Sequence, residues 1–185
     1  MLGRIFRRES RGKAIAASLY GAIVAQARAP ALYSALAVPD TVAGRFEMVV
    51  LHVALVHRRL RDEAKEARAV GQGVFDLFCV DMDRSLREMG VGDLIVPKRM
   101  KKMAEVFYGR YAAYDAGLAA DSADVLAVAL DRMIFDGKGA APAAILAGYV
   151  TGVVAILAAT TLDALFAASV AWPDPETHAS LRAVA

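Results

Sequence analysis

Apolar residues recur at three- and four-residue spacing along one long stretch: Val42, Phe46, Val49, Val53, Val56 and Leu60. That period matches the α-helical turn and excludes a half-buried strand, in which every second residue faces the core. Leu51 and Leu55 widen the apolar face, so a helix over about 41–66 is expected at the centre of the fold. The alternating charges of RRLRDEAKEAR (58–68) give that helix a solvated last turn, and Gly71 with Gly73 marks the break after it. Ahead of it, Val38-Pro39-Asp40-Thr41 reads as a turn in which Asp40 caps the first free amides.

The same period repeats elsewhere. Ile15, Leu19, Ile23 and Gln26 define a first helix to Arg28, stopped by Pro30, and a short turn follows over 32–36. Val74, Leu77, Phe78, Met82, Leu86 and Met89 define a helix over about 73–89 that ends at Gly90. Pro97 opens another, with Met100, Met103, Phe107, Tyr111 and Tyr114 on one side. Asp121 and Asp124 start a further helix, which runs to Ile134 before Gly137 and Gly139. No period-two run exceeds a few residues and no internal repeat is present. The apolar share is 57 %, above the usual figure of about 45–50 %, which excludes intrinsic disorder. The expectation is all-α: one domain, a bundle of seven or eight helices over 14–175. A flexible basic arm (1–13) precedes it and a tail (176–185) follows.

Two segments imitate membrane signals. MLGRIFRRESRGK followed by AIAASLYGAIVA and Ala25-Gln26-Ala27 has the outline of a secretory signal peptide. The four-residue spacing within it favours an amphipathic first helix. Gly139–Leu162 carries no charge and has the length of a bilayer span. Much of it is Ala, Gly and Thr, however, and Thr160-Thr161-Leu162-Asp163 resembles a capping box, so two packed helices over 142–158 and 161–170 are expected.

The chemical inventory is thin. One cysteine excludes an intramolecular disulfide and points to a reducing compartment. Cys79 lies in an apolar run and reads as a core thiol. His52 and His57 are five residues apart, too far round a helix to share an ion, and read as satisfied side chains at the core edge. Glu47 and His52 fail the Glu-x-x-His spacing of a dimetal bundle. Asp81 and Asp83 diverge around a helix, and Arg84 and Arg87 sit three and four residues from them, so intrahelical ion pairs, with salt bridges stapling this helix to a neighbour, are expected rather than a metal site. Gly90 and Gly92 lack the rest of a phosphate loop. No catalytic residue, metal or cofactor is assigned. Charge nearly cancels, 22 basic against 20 acidic residues, which argues against a DNA partner. Lys98, Arg99, Lys101 and Lys102 nevertheless crowd a helix start, where the macrodipole favours anions, which leaves two readings: a partner contact, or a solvated face with Glu105 and Asp93 as counter-ions.

VPDTVAGRFEMVVLHVALVHRRL and GQGVFDLFCVDMDRSLREMGVGDLIVPKRMKKMAEVFYGRYAAYDAGL together resemble the ubiquinol–cytochrome c chaperone family over about residues 20–135, with a looser fit through Trp172-Pro173. Without the long targeting extension of mitochondrial members, the chain looks like a bacterial, alphaproteobacterial one. The resemblance implies a non-enzymatic assembly chaperone of the cytochrome bc1 complex. In mitochondria family members act on newly made cytochrome b, with a small partner protein, near the ribosomal exit; here the client would be cytochrome b or another bc1 subunit. It also implies a cytoplasmic protein, peripheral at the inner membrane. Matching positions are Asp40, Gly44, Arg45, Phe46 and Glu47, then Asp81, Asp83, Arg84, Leu86, Arg87, Glu88, Gly90, Gly92 and Asp93, and finally Lys98, Tyr108, Gly109 and Arg110. Phe46 and Leu86 read as core, while Arg45, Lys98, Arg99, Lys101, Lys102 and Arg110 read as exposed contacts. A groove between amphipathic helices near Met100 and Met103 would take a client helix. The alternative is an adaptor that touches the ribosome or RNA, and the basic arm would suit anionic lipid as well.

Overall fold

The computed structural model describes the backbone of residues 2–120 and 122–177. These residues form eight α-helices and no strand: α1 (Leu2–Ala27), α2 (Pro30–Ser34), α3 (Val42–Leu60), α4 (Lys65–Glu88), α5 (Val96–Ala119), α6 (Ala123–Ile134), α7 (Ala140–Ala159) and α8 (Leu162–Phe166). α3 is the hub, packed against α1, α4, α5, α6 and α7, while α6 joins α5 to α7 at one side. The all-α expectation holds. Asp121 and the tail from 178 onward lie outside the described residues.

Capping explains where several helices begin. Thr41 is the N-cap of α3, its hydroxyl accepting from the Gly44 amide at 3.0 Å. The cap is therefore Thr41 rather than Asp40, whose carboxylate is taken by Arg45 at 2.6 Å. Ser122 caps α6 and Thr161 caps α8, each by the same hydroxyl-to-amide bond. α4 closes at Met89 with Gly90 left-handed at φ +80°, as the glycine there predicts.

Three boundaries differ from the sequence reading. α1 is helical from Leu2, so the basic stretch assigned to an arm continues the first helix. α8 ends at Phe166, short of 170. The largest difference is at the end of α3, which stops at Leu60 and hands over to α4 at Lys65, while Gly71 and Gly73 lie inside α4. The break has no Gly or Pro, and tertiary contacts pull its arginines apart. Arg58 and Arg61 both reach Asp115 of α5, at 2.7 and 2.6 Å, and Arg59 donates to the Leu157 carbonyl at 2.8 Å. That last bond satisfies an orphan carbonyl at the end of α7. The glycines serve packing instead: a β-carbon on Gly73 would stand 2.9 Å from the Ala16 methyl, so its absence lets α4 lie close on α1.

α7 is long and apolar enough to cross a membrane by length and composition. Here it buries Ala143, Leu146, Ala147, Tyr149, Val150, Val153 and Leu157 in the core. The side it leaves exposed is small: Gly148, Thr151, Ala155 and Ala158. Beneath it His52 is fully buried, its Nδ1–H donating to the Met48 carbonyl at 2.8 Å and its Nε2 accepting from the Tyr149 hydroxyl at 2.9 Å. Gln26 donates to the same hydroxyl at 2.8 Å, so one polar knot ties α1, α3 and α7 together. Burial pushes the His52 imidazole down to about 4, which keeps it neutral.

Candidate binding groove

At the opposite end of α3 the packing is incomplete. The first turns of α3, the last turns of α4 and the first turns of α5 diverge and leave a groove of about 910 Å³. Val42, Phe46, Val49, Leu86 and Val106 supply aliphatic and aromatic floor, and Met82, Met89 and Met103 supply thioethers. Unbranched methionine side chains repack around different apolar shapes at low cost. The floor is backed rather than loose: Phe46 meets Phe78 at 6.2 Å between centroids, and Phe107 packs on both Phe78 and Phe75.

Arg28, Arg45, Arg99 and Lys102 stand among the lining residues, and no carboxylate does. Arg45 lies over the Tyr33 ring at 5.5 Å and holds Asp40, whose carboxyl it keeps below its ordinary range. Arg99 and Lys102 lie in the first two turns of α5 with no carboxylate partner among the described residues.

The sequence-predicted residues separate clearly on the structure. Arg45, Arg99 and Lys102 border the groove, whereas Lys98 and Lys101 are exposed beside it. Arg110 is not an exposed contact. It grips the nearly buried Glu47 through Nε and Nη2 and forms a strut between α3 and α5. Phe46 is half-buried groove floor rather than closed core, and Leu86 is buried while still bordering the groove. Met103 lines it, whereas Met100 is not among the lining residues.

The expected intrahelical ion pairs form in α4, whereas its arginines staple no neighbouring helix among the described residues. Arg84 pairs with Glu88 at 3.0 Å and Arg87 with Asp83 at 2.7 Å within the helix, and Arg87 also holds Asp93 in the following turn. Asp81 does reach across, accepting from Tyr20 of α1 at 2.9 Å. Among the described residues, salt bridges join α3 and the residue after it to α5, at Glu47–Arg110, Arg58–Asp115 and Arg61–Asp115.

Of the remaining family positions, Gly44 is required sterically, because a β-carbon there would lie 2.0 Å from the Pro39 carbonyl oxygen. The Gly92 carbonyl accepts from the Ile95 amide at 2.8 Å. Tyr108 is half exposed and packs on Phe75 at 5.6 Å. Nothing in the structure explains Gly109, where a β-carbon would meet open space.

His57 departs from its expected role, since its buried Nδ1 has no hydrogen-bond partner and its ring meets the Tyr111 ring edge-on. Cys79 is half-buried, and burial pushes its thiol up, away from the reactive thiolate. Among the described residues no three His, Cys, Asp or Glu side chains gather as a metal site would require.

Sequence reasoning did not single out Arg28, Val42, Met82, Ser85 or Val106 as groove residues. Val42, Phe46 and Val49 belong to the core stripe of α3 by spacing, and no periodicity distinguishes a stripe that is covered from one left open.

Fold and groove together define an all-helical protein whose open, cation-rimmed apolar channel suits a length of polypeptide better than an enclosed small molecule. The chain belongs to the ubiquinol-cytochrome C chaperone family, whose pattern matches residues 34–172. It is similar in structure to the Cbp3 homolog from Brucella abortus, with a TM-score of 0.84 and 41 % identity over 95 % of this chain and 98 % of that one. Ubiquinol-cytochrome c reductase complex assembly factor 1 of Mus musculus is 31 % identical over 100 residues, 54 % of this chain and 34 % of that protein. The Xenopus laevis protein of the same name is 26 % identical over 98 residues, 53 % of this chain and 48 % of its own length. The match therefore spans less than half the length of these curated relatives.

Proposed function

We propose that this chain is a non-enzymatic chaperone for assembly of ubiquinol–cytochrome c reductase, the cytochrome bc1 complex, and that its groove holds an apolar helical segment of newly made cytochrome b. The observation that carries the reading is the groove itself: about 910 Å³, open to solvent, lined by three methionines and by no carboxylate. Helix-in-groove recognition needs such an apolar channel with anchoring positions along it. The family and the named functions of its relatives supply the complex.

A photo-crosslinking side chain at Met103 or Val49 is expected to capture cytochrome b during its synthesis, and Phe46→Asp to abolish capture without unfolding the bundle. Crosslinks that form only from positions outside the groove, or unchanged bc1 levels in cells lacking the gene, would overturn the reading. An adaptor touching the ribosome or RNA is the second reading. It rests on the unpaired charges of Lys98, Arg99, Lys101 and Lys102, and predicts salt-sensitive co-sedimentation with ribosomes that charge reversal at Lys101 and Lys102 removes.

A further inference from the structure

The turn between α4 and α5 is built to hold apolar side chains away from the protein. Val91 donates to the Leu86 carbonyl at 3.0 Å, Ile95 and Val96 donate to the Gly92 carbonyl at 2.8 and 3.2 Å, and Arg87 holds Asp93. Val96 is completely buried and pins the turn, yet its neighbours are turned outward: Leu94 is 97 % exposed and Ile95 52 %. Met89, just before the turn, is 60 % exposed. Isolated exposed leucines are ordinary on a protein surface, but here Met89, Leu94 and Ile95 are all exposed at one hydrogen-bonded turn.

Charge surrounds that turn. Lys98, Arg99, Lys101 and Lys102 follow within two helical turns, all exposed. Asp93 is held by Arg87 and Glu88 by Arg84, and Glu105, one turn further along α5, is the one other exposed carboxylate on that stretch and forms no salt bridge with the four cations. The four cations also stand at the positive end of the α5 dipole, and one carboxylate, Glu105, leaves them in excess there.

We propose that the α4–α5 tip is a membrane anchor: Leu94 and Ile95 enter the headgroup–acyl boundary of an anionic bilayer while Lys98, Arg99, Lys101 and Lys102 bind its phosphates. An aliphatic point ringed by cations has the two signals that reversible interfacial binding needs. Nucleic acid would account for the cations alone. It has no place for a leucine–isoleucine pair, and the tip offers no aromatic ring for base stacking. Met89 and Arg99 belong to both tip and groove mouth, so this docking would set the groove opening at the bilayer surface.

The anchor is testable apart from any client, because Leu94, Ile95, Lys98 and Lys101 do not line the groove. The full chain is mixed with vesicles of phosphatidylcholine alone, or with about a third phosphatidylglycerol, and separated by flotation. The expected result is flotation with the anionic vesicles only, weakened by salt. Leu94→Ser with Ile95→Ser is expected to weaken binding by at least about tenfold. Lys98→Glu with Lys101→Glu is expected to weaken it by at least about 25-fold, at about fivefold per lost cation. Both pairs keep the parent melting temperature, since the altered side chains are exposed.

Three outcomes overturn the proposal: no flotation of the parent chain on either vesicle, variants that float as well as the parent, or charge reversal that abolishes ribosome co-sedimentation and leaves flotation intact.

Discussion

The two ends of α3 pack in opposite ways. From Val50 to Val56 every residue is buried, closed in by α1, α4, α5 and α7, with His52 tied into the knot that includes Tyr149 and Gln26. From Val42 to Phe46 the same apolar stripe faces open space: Val42 is 76 % exposed and Phe46 forms the groove floor. One helix thus supplies both the stable centre of the fold and part of its binding surface. The difference lies in what neighbouring helices cover, since the side chains on the two halves are of the same kind.

The comparison is sharpest within α3. Leu51→Ala, at a fully buried position, is expected to lower the unfolding free energy by about 3 kcal/mol. Val42→Ser, at the open end, is expected to change it by less than about 0.5 kcal/mol. Urea denaturation of both variants checks this, and equal losses would mean that the groove is closed in solution.

Acid should act on the buried end next. The His52 imidazole is pushed down to about 4 by burial, from an ordinary 6.5. The unfolded chain therefore binds a proton that the folded chain refuses. The resulting stability is full above pH 6.5 and is lost as pH falls toward about 4, on the order of 3 kcal/mol in all. The urea midpoint measured across that range should fall. An NMR titration should find His52 still neutral near pH 5, and a His52 that titrates normally would break the contrast with the open end.

The strut between α3 and α5 is expected to rank third. Glu47→Gln leaves the Arg110 guanidinium, with 23 % of its side chain exposed, without its counter-charge and should cost about 2 kcal/mol. Adding Arg110→Met should recover much of that loss, and a double-mutant cycle by urea denaturation measures the coupling. The smallest expected effect is a gain. The Tyr114 hydroxyl is buried without a hydrogen-bond partner, so Tyr114→Phe should stabilise the bundle by up to about 1 kcal/mol, read as a raised melting temperature.

Much of the fold was legible from periodicity and punctuation. The central position of α3, the stop at Gly90, the proline opening α5 and the helix start at Thr161 all follow from local rules that the structure obeys. Gly71 and Gly73 misled because a glycine marks either a turn or a close approach between helices, and only the position of Ala16 on α1 shows which. Arg110 misled for a related reason: an arginine on a helix face has the same spacing whether water or a buried glutamate awaits it. The groove was legible in part. Its thioether character was foreseen at Met103 and its charge at Arg45, Arg99 and Lys102, whereas Arg28 comes from the turn after α1.

Local order along the chain decided which segments become helices, since hydrophobic period, caps and helix-breaking residues act over a few residues each. It also decided membership of the chaperone family, whose long motifs are visible without coordinates. Tertiary structure alone decided that the α3 stripe is sealed at one end and open at the other, and which cations keep a carboxylate partner. Covering a face and pairing a charge both depend on residues distant in the chain, whose arrival no local period encodes.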